Sequence, residues 1–235
     1  ILELSSFQLQ DLEQSPQVAI VTDVFPDHMD VHKNMKEYVD AKSNICRYQK
    51  KSDVVFFFQD NLLSRGIAKK SPGTKIGITG GPFGLKKNYV LASTVAAYLG
   101  CPTEKIFHTV KNFKGVEHRM EFAREIQGVR FYNDSASTNP QTAAAAVLSF
   151  KEPIVLIAGG KDKNLDYKPL ADAIRQSGNV KMVVLIGENR NKILHSLKIE
   201  NLKLKIELAA NLDSAINKAY GVAADGTIIL FSPGA

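Results

Sequence analysis

The chain has 235 residues, of which 44% are hydrophobic and 23% charged, so it can bury one large core or two ordinary ones and is not a disordered protein. No apolar run approaches the ~20 residues of a membrane-spanning helix, so we expect no membrane insertion. The net charge of +6 comes from scattered lysines rather than a basic stripe with aromatics, which argues against nucleic acid and fits an anionic small substrate.

The first half of the chain is predicted to be mixed α/β. An apolar strand over residues 18–24 is followed by a helix near residues 35–48 and a strand over residues 53–58. Further helices are predicted near residues 86–99 and 103–113. The irregular spacing of these elements distinguishes this half from the rest of the chain.

The second half has a regular pattern that predicts a parallel, doubly wound sheet. Alternating residues around Gln127 and Gly128 indicate a hairpin, and Asn139 and Pro140 supply the N-cap and first residue of an alanine-rich helix that ends near Phe150. Largely apolar strands are predicted at residues 154–158, 180–186, 204–208 and 227–231. Amphipathic segments separate them, near residues 167–176, 191–197 and 212–220. Strands that are apolar on both faces are typical of a parallel sheet covered by helices.

Polar residues follow the first predicted strand. Residues 27–32 contain two carboxylates and two imidazoles, which suit a divalent ion such as Mg²⁺, although they could equally form an ordinary polar loop. Lys42, on the next helix, shares a face with apolar neighbours such as Tyr38 and Cys46. It is either a side chain whose ammonium reaches solvent or a lysine with a lowered pKa that permits covalent or metal chemistry.

Three segments of the second half could bind anions. Arg119 offers a planar fork to phosphate or ribose, or else forms a salt bridge with Glu117 or Glu121. Residues 132–140 form a strand end, a hydroxyl-rich loop and a helix N-terminus. The glycine-rich loop at residues 158–163 lacks the spacing of a phosphate-binding P-loop, which is absent from the whole sequence.

The two cysteines, Cys46 and Cys101, form no CxxC pair and no metal spacing, so we expect a reduced, cytoplasmic protein. The chain lacks an initiator Met at Ile1 and stops at Ala235 directly after an apolar strand. We therefore expect it to be cut at both ends.

Taken in order, several short segments resemble signatures of the Mur ligase family. They are residues 2–9 (LELSSFQL), 27–30 (DHMD), 38–42 (YVDAK), 118–121 (HRME), 133–135 (NDS), 159–163 (GGKDK) and 232–233 (SP). Within the family, the resemblance is greatest to the branch that adds D-glutamate. The DYAH-type segment of the branch that adds diaminopimelate or lysine is missing.

The resemblance implies an ATP-dependent amide-bond ligase of peptidoglycan synthesis that acts as a monomer on UDP-N-acetylmuramoyl-L-alanine and D-glutamate. Residues 1–115 would be the remainder of a P-loop-type central ATPase domain, and residues 116–235 most of a Rossmann-like C-terminal domain. A UDP-binding domain and the Walker loop are expected before Ile1, so residues 1–235 are expected to be inactive alone.

The resemblance also assigns roles to residues of the first half. Glu3 and His28 are expected to bind Mg²⁺, with Ser5 and Ser6 nearby in the substrate site. Lys42 is expected to be the lysine that family members carbamylate with CO₂, which would make it a third metal ligand. Glu3, His28 and Lys42 are therefore the expected catalytic residues.

Nucleotide and amino-acid contacts are expected to come from both halves. The residues expected to contact the adenosine part of ATP are Asn88, Arg119 and Asp134. The residues expected to hold the carboxylates of D-glutamate are Thr138, Lys163 and Ser232.

The chain departs from the family pattern at three places. Ala136 stands where many members carry a lysine, and Asp23 replaces an expected asparagine. Residues 81–88 are a loose version of the usual G-x-H-N-x-x-N run, on which the assignment of Asn88 depends.

Two other functions fit the sequence. One is a related amide ligase, such as the branch that extends folate with glutamate. The other is a non-catalytic binding or regulatory remnant, which would follow if the natural chain began at Ile1 and therefore had no Walker loop.

Overall fold

The computed structural model of the chain describes residues 1–79, 85–199 and 204–235. The chain divides into two compact units, Ile1–Phe113 and Lys114–Ala235. Across these described ranges, every helix is too short or too polar to cross a bilayer.

The first unit is built around a parallel sheet. Its elements are α1 (Ser6–Leu9), β1 (Val18–Val21), α2 (Met35–Arg47), β2 (Val54–Phe58), α3 (Leu62–Ala68), β3 (Thr74–Ile78), α4 (Leu85–Tyr98) and α5 (Thr103–Asn112). The strands lie in the order β1-β2-β3, and both pairs are parallel. All five residues of β2 are buried because helices cover both faces. Val55 and Phe57 pack with α2 and α3, whereas Phe56 and Phe58 pack with α4.

The sequence prediction for β1 was wrong at its end. The strand was expected over residues 18–24 but stops at Val21. Beyond it, the carbonyl of Val24 accepts a hydrogen bond from the Asn61 side chain at 3.2 Å, so side chains rather than a neighbouring strand hold this segment. The short elements α1, α3 and β3 were not predicted.

The second unit contains the regular alternation that the sequence predicted. Its elements are β4 (Glu121–Ile126), β5 (Val129–Asn133), α6 (Pro140–Leu148), β6 (Ile154–Ala158), α7 (Lys168–Ser177), β7 (Val180–Leu185), α8 (Arg190–Ile199), β8 (Lys205–Leu208), α9 (Leu212–Tyr220) and β9 (Ile228–Phe231). The sheet order is β4-β5-β9-β6-β7-β8, with β4 antiparallel to β5 and the other neighbours parallel. The prediction of an α/β fold with a doubly wound sheet is confirmed.

Local sequence explains these elements. Gln127 and Gly128 have φ of 50° and 75°, the left-handed values that a tight hairpin between β4 and β5 requires. Asn139 caps α6 by accepting a hydrogen bond from the Thr142 amide at 3.0 Å. Alternate strand residues face opposite cores, so that one face of the sheet packs against α6, α7 and α8 and the other against α9.

Candidate active site

In the first unit, α1 and its N-cap residue carry the two serines that were predicted to lie in the substrate site. Ser5 is the exposed N-cap, and its hydroxyl accepts a hydrogen bond from the Gln8 amide at 3.3 Å. Ser6 is buried, and its Oγ lies 2.9 Å from Nε2 of His32. The Ser6 hydroxyl is therefore engaged with an imidazole, whereas Ser5 faces solvent.

The segment after β1 packs against α1 and α2 through rings. His32 is stacked on Phe7, with centroids 5.2 Å apart, and meets the edge of Tyr38 at 5.3 Å. His28 lies 5.2 Å from Phe7 in an edge-on arrangement. Its backbone has φ of 57°, and its amide donates to Oδ1 of Asp27 at 2.9 Å. These contacts fix a tight turn that carries the predicted metal ligand.

Lys42 is half-buried beside this turn. Its Nζ lies 4.9 Å from the centroid of the Tyr38 ring. Burial lowers the pKa of Lys42, and the negative charges of Asp27 and Glu3 raise it in opposition. Lys42 thus has electrostatic interactions with both Asp27 and Glu3, and it lies beside Tyr38 as the helical spacing indicated.

Two carboxylates, of the kind that Mg²⁺ binds, interact electrostatically with Lys42. No group of three or more His, Cys, Asp or Glu in the described ranges could hold a metal by itself. Mg²⁺ commonly takes only one or two protein carboxylates and completes its shell with water and phosphate oxygens. Glu3, His28 and Lys42, the predicted metal ligands, could therefore supply at most part of such a shell.

Lys87 is a charged group that sequence reasoning missed. It lies in the first turn of α4, and its side chain is only 4% exposed. Its Nζ is 2.9 Å from Oδ1 of Asp23 and 2.8 Å from Oδ1 of Asp60, which follow β1 and β2, and it lies over the Phe58 ring at 4.1 Å. Burial raises the pKa of the Asp23 carboxyl, and Lys87 opposes that shift. The neighbouring Asn88, predicted to contact nucleotide, is exposed.

No sequence signal would have identified this lysine, because three distant segments meet around it. The departure at Asp23 was visible in the sequence, but its partner was not. Of the loose run at residues 81–88, residues 81–84 lie outside the described residues.

In the second unit, the predicted site residue Asp134 is a buried carboxylate held by hydrogen bonds from two other segments. It is 6% exposed; Oδ2 accepts a hydrogen bond from Ser232 Oγ at 2.7 Å and Oδ1 accepts one from the Met120 amide at 3.1 Å. Burial raises its pKa, while these hydrogen bonds and the charge of Arg119 lower it. The hydroxyl of Ser232 is therefore engaged with Asp134, although the two residues were assigned to different ligands.

Arg119 is exposed next to this carboxylate. The Glu121 carboxylate accepts a hydrogen bond from the His118 amide at 2.9 Å and lies 3.5 Å from the same residue's ring nitrogen. The structure thus pairs Glu121 with His118 rather than with Arg119, against one of the two interpretations of the arginine.

The residues predicted to hold D-glutamate come together at the carboxyl ends of the strands. Lys163, in the loop after β6, donates from Nζ to the backbone carbonyl of Thr138 at 3.1 Å. The loop of Thr138 is tied to the segment after β9, because the Gly234 amide donates to the Ser137 carbonyl at 3.0 Å. Open α/β sheets bind ligands at this edge, so the arrangement is compatible with an anion site.

Both units match models of one protein family. Residues 1–124 match the Mur ligase middle domain, and residues 118–234 match the Mur ligase glutamate ligase domain. The chain belongs to the Mur ligase family. The middle-domain match alone spans more than half of the chain, and the family predicted from the short segments is confirmed.

The chain spans little more than half the length of the individual Mur ligases that it matches. The UDP-N-acetylmuramoylalanine–D-glutamate ligase of Acetivibrio thermocellus is 36% identical over 279 residues, and that of Clostridium acetobutylicum is 34% identical over 269. Each alignment covers 99% of this chain and 58% of the relative. The crystal structure of MurF from Acinetobacter baumannii superposes with a TM-score of 0.74 at 17% identity, covering 97% of this chain and 58% of that one. At that identity the likeness shows the fold alone.

Proposed function

We propose that the complete protein is a cytoplasmic, ATP-dependent ligase that joins D-glutamate to UDP-N-acetylmuramoyl-L-alanine in peptidoglycan synthesis. Residues 1–115 and 116–235 would supply parts of its central and C-terminal domains. The observation that carries the proposal is that two D-glutamate-adding ligases align with 99% of this chain at 34–36% identity.

The reaction has to turn a carboxylate, which is a poor electrophile, into an acylating group. A carboxylate oxygen of the UDP-linked substrate attacks the γ-phosphorus of ATP, the bond to the β-phosphate oxygen breaks, and ADP leaves. The amine of D-glutamate then attacks the carbonyl carbon of the acyl phosphate. The tetrahedral adduct expels inorganic phosphate, and the nitrogen loses a proton. Phosphate is a far better leaving group than oxide, which is why ATP is consumed.

The first unit would help to neutralise the negative charge on the phosphates of ATP. Glu3, His28 and carbamylated Lys42 are the residues that would hold Mg²⁺, which when bound would neutralise crowded phosphate oxygens. Carbamylation requires a neutral amine, and the burial that lowers the pKa of Lys42 increases that fraction. The ammonium first loses one proton, and the neutral amine nitrogen then adds to CO₂ and loses a second proton, so that a cation becomes a carbamate anion with oxygen donors.

The second unit would orient the nucleotide and the amino acid. Asp134 is fixed by two hydrogen bonds and carries an electrostatic interaction with Arg119, which suits a ribose hydroxyl donor beside a cation. Lys163 and Thr138 would hold the carboxylates of D-glutamate, since an ammonium and a hydroxyl can both donate to them. Ser232 would act mainly through Asp134.

Phosphate release by the full-length gene product tests the proposal. With ATP, Mg²⁺ and UDP-N-acetylmuramoyl-L-alanine, release should require D-glutamate. Release supported only by L-lysine or diaminopimelate would assign another branch of the family, and incorporation of glutamate into a folate acceptor would assign the folate-extending type. Lys163→Met should raise the KM for D-glutamate, whereas Lys181→Met, an exposed lysine on β7, should not.

A further inference from the structure

We propose that Asn189 is a positioning residue that fixes the loop at residues 159–163 and thereby aims Lys163 at the carboxylates of D-glutamate. The inference rests on the proposed function. Asn189 lies in the turn after β7 and is fully buried, with 0% exposure. A fully buried amide must find its hydrogen bonds inside the protein, so the partners of Asn189 define its role.

Both ends of the Asn189 amide are engaged. Its Oδ1 accepts a hydrogen bond from the Gly160 amide at 2.8 Å, and its Nδ2 donates to the Tyr167 hydroxyl at 2.5 Å. Tyr167 is 1% exposed and directly precedes α7. The side chain therefore joins the loop after β6, the turn after β7 and the start of α7 at a place that water does not reach.

Two glycines allow the loops to approach this closely. Gly159 has φ of +106°, and a Cβ there would lie 2.1 Å from the carbonyl oxygen of Ile186. A Cβ on Gly187 would lie 2.5 Å from the carbonyl oxygen of Gly160. That carbonyl also accepts a hydrogen bond from the Glu188 amide at 2.7 Å. Backbone thus packs directly on backbone, and the Asn189 side chain holds the Gly160 amide on the same side.

The position of Lys163 follows from this anchorage. Lys163 is three residues after Gly160, and its Nζ donates to the Thr138 carbonyl at 3.1 Å. Thr138 and Lys163 are the two residues proposed to hold D-glutamate. If the loop lost its hydrogen bond at Gly160, the Lys163 ammonium would no longer be held beside Thr138. The binding of D-glutamate would then weaken equally in the ground state and in the transition state.

Asn179, a half-buried asparagine at the other end of β7, offers a control. It precedes β7, whereas Asn189 follows it, and its Nδ2 donates to the carbonyls of Phe150 and Glu152 at 2.9 and 2.8 Å. Removing either amide deletes hydrogen bonds from the same sheet. Only Asn189 touches the loop of Lys163, so the two variants separate positioning from a general loss of stability.

The experiment compares Asn189→Ala and Asn179→Ala in the full-length enzyme. Asn189→Ala should raise the KM for D-glutamate about tenfold while kcat and the KM for ATP stay within about twofold, the pattern of lost uniform binding. Asn189→Asp, whose carboxylate can accept from both Gly160 and Tyr167, should recover most of the affinity. Asn179→Ala should leave the KM for D-glutamate unchanged. An unchanged KM in Asn189→Ala, or equal changes in both alanine variants, would overturn the inference.

Amide hydrogen exchange gives a second readout that needs no catalysis. Peptides covering residues 159–164 should exchange faster in Asn189→Ala but not in Asn179→Ala. If the wild-type enzyme shows no release of phosphate dependent on D-glutamate, the proposed function fails, and exchange alone decides whether Asn189 anchors the loop. If activity is present but exchange in the loop is unchanged, the positioning role fails and the function stands.

Discussion

The buried cation of the first unit should be essential to that unit's stability. Replacing Lys87 with Met keeps most of the side-chain volume but leaves Asp23, whose side chain is 10% exposed, without its ammonium partner. Removing one member of a buried ion pair typically costs about 3–5 kcal/mol. The side chain of Asp60, the second partner of Lys87, is 46% exposed and can be solvated by water, so the loss of its ion pair should add little to this destabilisation. We expect Lys87→Met to lower the free energy of unfolding by about 3 kcal/mol. This value is at the lower end of that range because the Asn61 side chain still donates a hydrogen bond to Asp23.

The loss should depend on pH in a defined direction. Burial already raises the pKa of Asp23, and the loss of Lys87 would raise it further. When the pKa of a carboxyl is higher in the folded state than in the unfolded state, its contribution to folding stability is fully present below the unfolded pKa. That contribution is lost as pH rises through the folded pKa. The defect of Lys87→Met should therefore shrink in acid, and Asp23→Asn in the same background should remove most of it at neutral pH.

Urea unfolding followed by circular dichroism measures the effect. Lys70→Met is the matched control, because Lys70 forms an exposed ion pair with Asp40 at 2.5 Å in the same unit. That variant should lose less than about 1 kcal/mol. A loss below about 1 kcal/mol in Lys87→Met, or no recovery with Asp23→Asn, would refute the claim that the buried ion pair is essential to the stability of the first unit.

Three further outcomes are expected. Lys42→Ala should abolish ligase turnover in the full-length enzyme, with partial recovery by added short carboxylates; full activity of the variant would exclude a role in metal binding. Ser232→Ala should cost about 1–3 kcal/mol in urea unfolding because it deprives Oδ2 of buried Asp134 of the Ser232 hydroxyl, while the Met120 amide still donates to Oδ1. The cost should diminish as acid protonates that carboxyl, and a cost independent of pH would argue against the Ser232 hydrogen bond. Burial raises the pKa of the Cys46 thiol to about 11, so native protein should be alkylated at exposed Cys101 only. The contribution of the protonated Cys46 thiol to stability should be intact below pH 9 and lost as pH rises toward about 11. Rapid labelling of both thiols in native protein would contradict the burial of Cys46.

Much of the second unit could be predicted because its signals are local. The hairpin at Gln127 and Gly128, the cap at Asn139 and the apolar run of β6 each require only a few consecutive residues. In the first unit, β3 was missed because its residues are mostly exposed and Gly77 interrupts it, so it lacks the apolar run of a central strand. Helix α3 was missed because it has only seven residues, with Gly66 among them.

The candidate site divides in the same way. The position of Lys42 beside Tyr38 could be predicted because residues four apart on a helix lie on the same face. The ion pairs of Lys87 and the hydrogen bonds of Asn189 depend on segments that are far apart in the chain. Contacts of that kind are set by tertiary packing, so no local pattern predicts them.

In the proposed reaction, ATP activates the carboxylate of UDP-N-acetylmuramoyl-L-alanine for attack by D-glutamate. The most direct test of this activation uses the full-length enzyme and substrate labelled with ¹⁸O in that carboxylate, with the released phosphate examined by mass spectrometry. Phosphate should appear only when D-glutamate is present and should carry one labelled oxygen, because the carboxylate oxygen leaves with the phosphorus. Unlabelled phosphate released during amide formation would contradict an acyl-phosphate intermediate.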